Sequence, residues 1–199
     1  FPKQVIAFLI GLVLVFGASF FHISFYRTNA KLFYGLAVFL LIAVLIFGQT
    51  IRATRGWFNI AGFSFQPVEF AKVGLIIFLA WWINHYGRRF DKWQFVFTSG
   101  FFFLVLAGLI MLQPDMGSAL VLGGIWFGYL FLTGTKKKYI LILVVSGLFL
   151  FLLSWFFFFQ NYQKDRIINF FDASQDPLGV GYNVTQSMIA IGSGQIMGR

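Results

Sequence analysis

The feature that most constrains this chain is a succession of six apolar runs, over residues 5–21, 32–48, 67–84, 93–112, 114–132 and 139–159. Each reaches the length of about 17–25 residues that a helix needs to cross the hydrocarbon core. Lipid offers no hydrogen bonds, so a spanning segment must satisfy its own backbone. The pattern therefore predicts an all-α fold, a polytopic transmembrane helical bundle with six spans. Composition agrees: 59% of the residues are hydrophobic and 11% charged, with mean hydropathy +0.83, which excludes an ordinary water-soluble globule. The 30 phenylalanines sit inside the apolar runs, where lipid contact and helix packing explain them better than stacking on bases. The first run is not a cleaved signal, because no small-residue cleavage site separates it from the second. With no cysteine, a disulfide framework and a thiolate metal site are both excluded.

The net charge of +9 suggests nucleic acid until the basic residues are placed along the chain. Arg27, Lys31, Arg88, Arg89, Lys92, Lys136, Lys137 and Lys138 fall on one side of the predicted spans, offset only by Asp91. That side is read as cytoplasmic by the bias of positive charge in short loops. The opposite side receives Lys3, Arg52, Arg55, Lys164, Arg166 and Arg199, with Asp165, Asp172, Asp176, Glu69 and Asp115. Five of the six acids thus face outward, mixed with bases as a site for a charged substrate requires. No nucleic-acid partner is expected; the lipid bilayer is.

Within this topology Phe65-Gln66-Pro67-Val68-Glu69-Phe70-Ala71-Lys72 stands out. Proline suits the first helical position, so Pro67 is expected to start a helix. Glu69 then falls in the first turn, where the positive helix end favours it, and Lys72 is three residues on, on the same face. Ionisable groups at the mouth of a span are costly, and by default functional. A second Gln-Pro-acid segment, Gln113-Pro114-Asp115-Met116-Gly117, opens another span on the same side, with Pro114 expected at its first helical position. Gly117, Gly123, Gly124 and Gly128 run through that span at spacings that suit close helix approach. Residues 161–172 look like a short interfacial helix, with Lys164, Asp165 and Arg166 opposite Ile167, Ile168, Phe170 and Phe171. Asp176-Pro177-Leu178-Gly179 reads as a turn, residues 182–191 as a further helix, and Gly192-Ser193-Gly194 as its end. The organisation expected is a membrane bundle over 1–159 and the start of a large extracellular loop over 160–199.

These two Gln-Pro segments, with Asp176-Pro177-Leu178-Gly179-Val180-Gly181-Tyr182, Gln186-Ser187 and Ala190-Ile191-Gly192-Ser193-Gly194, resemble the signatures of the SEDS family, the RodA/FtsW/SpoVE group. The resemblance spans nearly the whole chain in the right order. Val68 departs from it, since the family usually has serine there, and so does Gln195, where a further glycine is common. The resemblance implies a ten-span enzyme of the bacterial cytoplasmic membrane that polymerises lipid II into glycan strands at the outer face. It further implies a class B penicillin-binding protein as transpeptidase partner. The start Phe1-Pro2-Lys3 and the end Met197-Gly198-Arg199 read as those of a fragment covering about the second to seventh spans. The family's proposed catalytic aspartate is then expected past Arg199.

Glycosyl transfer from a polyprenyl pyrophosphate needs a base for the acceptor hydroxyl and positive charge for the departing pyrophosphate. Glu69 and Lys72 match the family's paired residues; they either shape an outward cavity or form an ion pair that fixes helix packing. Asp115 lines the cavity or caps its helix. Trp57 matches the family's aromatic residue in the outer loop or is an interfacial anchor, and Arg55 and Arg52 are candidates for pyrophosphate or solvated loop charges. Gln186, Ser187 and Ser193 bind sugar or pyrophosphate, or satisfy turn backbone. His22 and His85 are too isolated for a histidine metal site. No cofactor is required, although carboxylates and waters would suffice for a divalent cation at the pyrophosphate. The rival activity is a flippase for lipid II or another polyprenyl-linked sugar, and a non-catalytic scaffold is a third reading.

Overall fold

A computed structural model describes residues 2–51, 54–60, 63–86, 92–157, 164, 168 and 182–194. All six expected spans are helices: α1 (Pro2–Ser19), α2 (Ile23–Phe47), α3 (Pro67–Tyr86), α4 (Trp93–Met111), α5 (Met116–Leu132) and α6 (Lys137–Phe157). By length and apolarity α2, α3, α4 and α6 qualify as membrane-crossing, while α1 and α5 are shorter apolar helices. With 17 residues, α5 is about 26 Å long against a hydrocarbon core of about 30 Å. A further helix, α7 (Tyr182–Gly194), lies near the end of the chain. Two compact units are formed, Phe1–Ile140 and Leu141–Arg199.

Three features depart from the sequence expectation. First, α2 begins at Ile23 rather than at residue 32, so Arg27 and Lys31 are helical rather than in a loop. His22 is its N-cap, its Nδ1 accepting the Ser24 N–H at 3.3 Å, and the Tyr26 hydroxyl donates to the Ala18 carbonyl at 2.6 Å. Apolarity alone does not see this extension, because long basic side chains let a helix run on into the headgroup layer. Second, the linker after α2 folds into a three-stranded antiparallel sheet of β1 (Gln49–Ile51), β2 (Thr54–Ile60) and β3 (Phe63–Phe65), in that order. Gln49 pairs with Trp57 and Thr50 with Arg55 across a bulge, and Phe58 pairs with Phe65. Third, Pro114 lies in a turn and α5 starts at Met116, with Asp115 as its N-cap.

The first unit has one core, drawn from four helices. Ala37 and Leu41 of α2, Val68, Ala71, Leu75 and Leu79 of α3, Leu106 and Ile110 of α4, and Leu122 of α5 are buried together. Membrane helices gain little from apolar burial as such and associate through close packing. Gly74 shows how: a Cβ there would lie 3.1 Å from the Phe33 carbonyl oxygen and 3.3 Å from Ala37 Cβ, so its absence lets α2 and α3 meet. Similarly, Gly100 of α4 sits under the Trp126 ring of α5, whose Nε1 donates to the buried Ser99 Oγ at 3.1 Å. The Tyr34 hydroxyl donates to the Phe102 carbonyl at 2.9 Å and ties α2 to α4.

In the second unit α6 presents apolar side chains from Leu141 to Phe157, many of them exposed as lipid contact requires. Of residues 161–172 only Lys164 and Ile168 are described, both helical; the rest of the expected interfacial helix, and the turn over 176–179, lie outside the described residues. Lys164 Nζ stands 5.8 Å from the Trp155 ring centre, a cation–π contact.

Candidate functional site at the mouth of the bundle

The C-terminus of α2, the N-terminus of α3, the C-terminus of α4 and the N-terminus of α5 share one end of the first unit, and the small sheet joins them there. Pro67 starts α3 as the proline rule requires. The Gln66 carbonyl accepts the Glu69 N–H at 3.1 Å, which leaves the Gln66 side chain free to reach outward. It donates through Nε2 to Asp115 Oδ2 at 3.3 Å. Asp115 meanwhile caps α5, its Oδ1 accepting the Ser118 N–H at 3.0 Å and its Oδ2 the Ser118 hydroxyl at 2.7 Å. The two Gln-Pro-acid segments, 49 residues apart at this bond, are thus joined directly.

Lys72 Nζ lies 2.7 Å from both Glu69 carboxylate oxygens. Because this pair is internal to α3, it does not hold two helices together. The carboxylate side is 60% exposed and the lysine 21%, so the pair stands at the rim with Glu69 outermost. Asp115 and Gln66 are half-buried beside it.

Sequence reasoning passed over Gln113, which is 1% exposed. Its Nε2 reaches the Leu41 carbonyl of α2 at 3.5 Å, and a Cβ on Gly56 would lie 3.1 Å from its Oε1. Gln113 therefore seats β2 against the ends of α2 and α4. The signal was present in the repeated Gln-Pro pair, but only the fold shows that the first glutamine reaches sideways and the second inward.

Arg55 is not a freely solvated cation: Nε and Nη2 donate to the carbonyls of Gly48 and Ile46 at 3.1 and 2.9 Å, which caps the C-terminus of α2. A guanidinium at the negative end of a helix is favourably placed. Its neighbour but one, Trp57, is half-buried in the same strand. Arg52 lies outside the described residues. Gln186, Ser187 and Ser193 sit on α7 in the second unit and are exposed. Ser193 is inside the helix rather than past it, since α7 continues to Gly194. Among the described residues no cluster of three or more His, Asp or Glu side chains comes together to hold a metal.

Comparison with known proteins fits this arrangement. The family described as "Cell cycle protein", FtsW/RodA/SpoVE, matches residues 1–199. The chain is 36% identical over 165 residues to the probable peptidoglycan glycosyltransferase FtsW of Thiomicrospira cyclica, covering 82% of this chain and 42% of that protein. It is 35% identical over 176 residues to the corresponding protein of Haemophilus influenzae, covering 86% and 43%. The chain thus spans less than half the length of these relatives. Among solved structures, a peptidoglycan synthase complex that coordinates polymerization and crosslinking superimposes with TM-score 0.79 at 33% identity, over 98% of this chain and 57% of that one. The rod shape determining protein RodA of Thermus thermophilus gives 0.61 at 29% identity, over 75% and 49%. With the helices, the joined Gln-Pro-acid segments and the match along the full chain in agreement, this multi-pass membrane protein belongs to the FtsW/RodA/SpoVE family.

Proposed function

We propose that this chain forms the membrane half of a peptidoglycan glycosyltransferase that polymerises lipid II at the outer face of the bacterial cytoplasmic membrane. Its partner in that reading is a class B penicillin-binding protein, which cross-links the strands. The names of the relatives support the activity. The single observation that carries the assignment of a site is the Gln66–Asp115 bond, which unites both motifs beside the Glu69–Lys72 pair at one membrane face.

In the transfer, the acceptor sugar hydroxyl loses its proton to a base and attacks the anomeric carbon of the donor. The bond from that carbon to the pyrophosphate oxygen breaks, and the polyprenyl pyrophosphate leaves with the electron pair. Lys72 is paired with Glu69, and two of the N–H donors of Arg55 are held by backbone carbonyls, so neither is aimed as a free cation at the leaving group. Their role in this reading is to shape and orient: the pair presents both signs to a headgroup that has hydroxyls as well as phosphates. The base belongs, by family resemblance, to the protein beyond residue 199.

A flippase would place ionisable groups at several depths along a path. Neither α4 nor α5 contains a charged residue, and apart from Lys72 of α3 and Lys31 of α2, which lie more than one turn inside their helices, the charges of α2, α3 and α6 fall near helix starts. That distribution suits chemistry at a surface.

The test is the double replacement Glu69→Leu with Lys72→Leu in the complete protein. Removing both charges avoids stranding one of them, a cost of about 3–5 kcal/mol where the pair is buried and less at this exposed rim. Normal yield and thermal midpoint with at least a tenfold loss of glycan product from lipid II is the expected result. Undiminished polymerisation would remove the pair from the site.

A further inference from the structure

At the other end of the same helices lies a groove of about 290 Å³ between the start of α2 and the end of α3, lined by Ile23, Tyr26, Arg27, Ile76, Ala80 and Trp81 among others. Its body is aliphatic, and its rim is basic. Lys31 joins Arg27 there, with Nζ 4.9 Å from the centre of the Trp81 ring. His85 stacks on the same ring at 5.0 Å. Asn84 donates through Nδ2 to the Ala80 carbonyl at 2.9 Å.

Among the described residues no acid balances the cations of this rim. Arg27 and Lys31 are four residues apart on one face of α2, beyond its first turn, where two like charges repel one another. Helix α2 contains no acidic residue, and the only acid of α3 is Glu69 at its opposite end. Among the described residues neither Arg27 nor Lys31 has a carboxylate partner. Two exposed cations on one helix face, beside a groove lined largely by apolar side chains, complement an amphiphile that carries negative charge.

We propose that this groove binds an anionic glycerophospholipid from the leaflet on the side away from Glu69. The phosphate lies between Arg27 and Lys31, and one acyl chain runs down the groove along Ile76 and Ala80. The volume is at the lower limit of small-molecule pockets, which suits a single chain rather than a whole lipid. A free inorganic anion would use the cations and leave the aliphatic body unfilled; a neutral lipid would do the reverse. Basic pockets between membrane helices bind acidic headgroups by this combination. The proposal is independent of the chemistry at the other end of α3, and its test reads no enzymatic activity.

The protein in a neutral detergent is titrated with phosphatidylglycerol, with phosphatidylcholine of the same chains and with inorganic phosphate, while thermal midpoint and bound lipid by native mass spectrometry are followed. Two cations at the surface of a membrane predict about thirtyfold tighter binding of phosphatidylglycerol than of phosphatidylcholine. The preference shrinks as salt rises from about 0.05 to 0.5 M, because the cations are exposed. Replacing both, Arg27→Gln with Lys31→Gln, abolishes the preference while phosphatidylcholine binds as before; Ala80→Trp, which fills the groove, weakens both lipids. Should the double variant fold poorly, the salt dependence of the unsubstituted protein and the Ala80→Trp variant still decide. Equal binding of the two lipids, a shift reproduced by inorganic phosphate, or an Ala80→Trp variant that retains full lipid binding overturns the proposal, the last because another helix or nothing then occupies the groove.

Discussion

The two ends of α3 hold polar groups in opposite ways. At the Gln66 end the polar side chains answer one another: Glu69 holds Lys72, Gln66 reaches Asp115, Asp115 caps α5, and Gln113 and Arg55 bind the carbonyls of α2. At the Tyr86 end aromatic rings dominate, from Phe78 through Trp81 and Trp82 to His85 and Tyr86, with Arg27 and Lys31 beside them, without a carboxylate partner among the described residues. Charges at a helix end in a membrane can be settled by the protein or left for its surroundings. The first arrangement makes a rigid polar surface, fit to orient a headgroup, and the second makes a lipid-facing rim. One helix carries both because Gly74, midway, brings it against α2 along its length.

Breaking that contact should therefore have the largest effect and reach both ends. Gly74→Leu forces a branched side chain into a position where even a Cβ would meet the Phe33 carbonyl oxygen at 3.1 Å. Overpacking of this kind costs about 3 kcal/mol or more when the obstacle is backbone. The expected outcome is a sharply lower thermal midpoint in detergent with little monodisperse protein. Gly124→Leu serves as the control, since nothing lies within 4 Å of its Cβ position, and its midpoint should match the parent. Equal behaviour of the two variants would show that α2 and α3 do not rely on close approach.

A smaller and more local effect is expected from Asp115. Alanine removes the N-cap and the link to Gln66, a loss of about 1 kcal/mol. Asparagine keeps a capping oxygen and should restore most of the stability. Asp115→Asn then separates the two roles that the sequence left open. A stable protein that makes glycan normally assigns Asp115 to the cap; a stable but inactive one requires its negative charge.

The legible and illegible parts of this molecule divide along the same line. Spans were legible because about twenty apolar residues in a row have few other ways to exist. Pro67 and Glu69 were legible because proline chemistry and the helix dipole act locally. The sheet over 49–65 was not: its strands are short, and no repeated Asn-Gly or Asp-Gly turn marks them. Gln113 escaped for a related reason, since its burial depends on Gly56 and Leu41, which lie 57 and 72 residues away in the chain. Likewise the capping of α2 by Arg55 could not be read from a sequence in which the strand that carries Arg55 was expected as linker. Asp115 stood between: its capping role was one of two readings, and its bond to Gln66 belonged to neither.

The smallest expected effect sharpens the comparison from the aromatic end. Tyr129 of α5 has a hydroxyl buried without a hydrogen-bond partner among the described residues, and Trp82 Nε1 is in the same position. A buried group that makes no bond gives nothing back for leaving water, so its removal is close to neutral or mildly stabilising. Tyr129→Phe is therefore expected to move the thermal midpoint by less than about 0.5 kcal/mol equivalent, or upward. Ser99→Ala provides the contrast within the same helix pair, because it strands the Trp126 N–H that now donates to Ser99 Oγ, at a cost of about 1–3 kcal/mol. If Tyr129→Phe instead costs as much as Ser99→Ala, that hydroxyl is bonded in the membrane, and the aromatic end contains a polar network as firm as the one around Asp115.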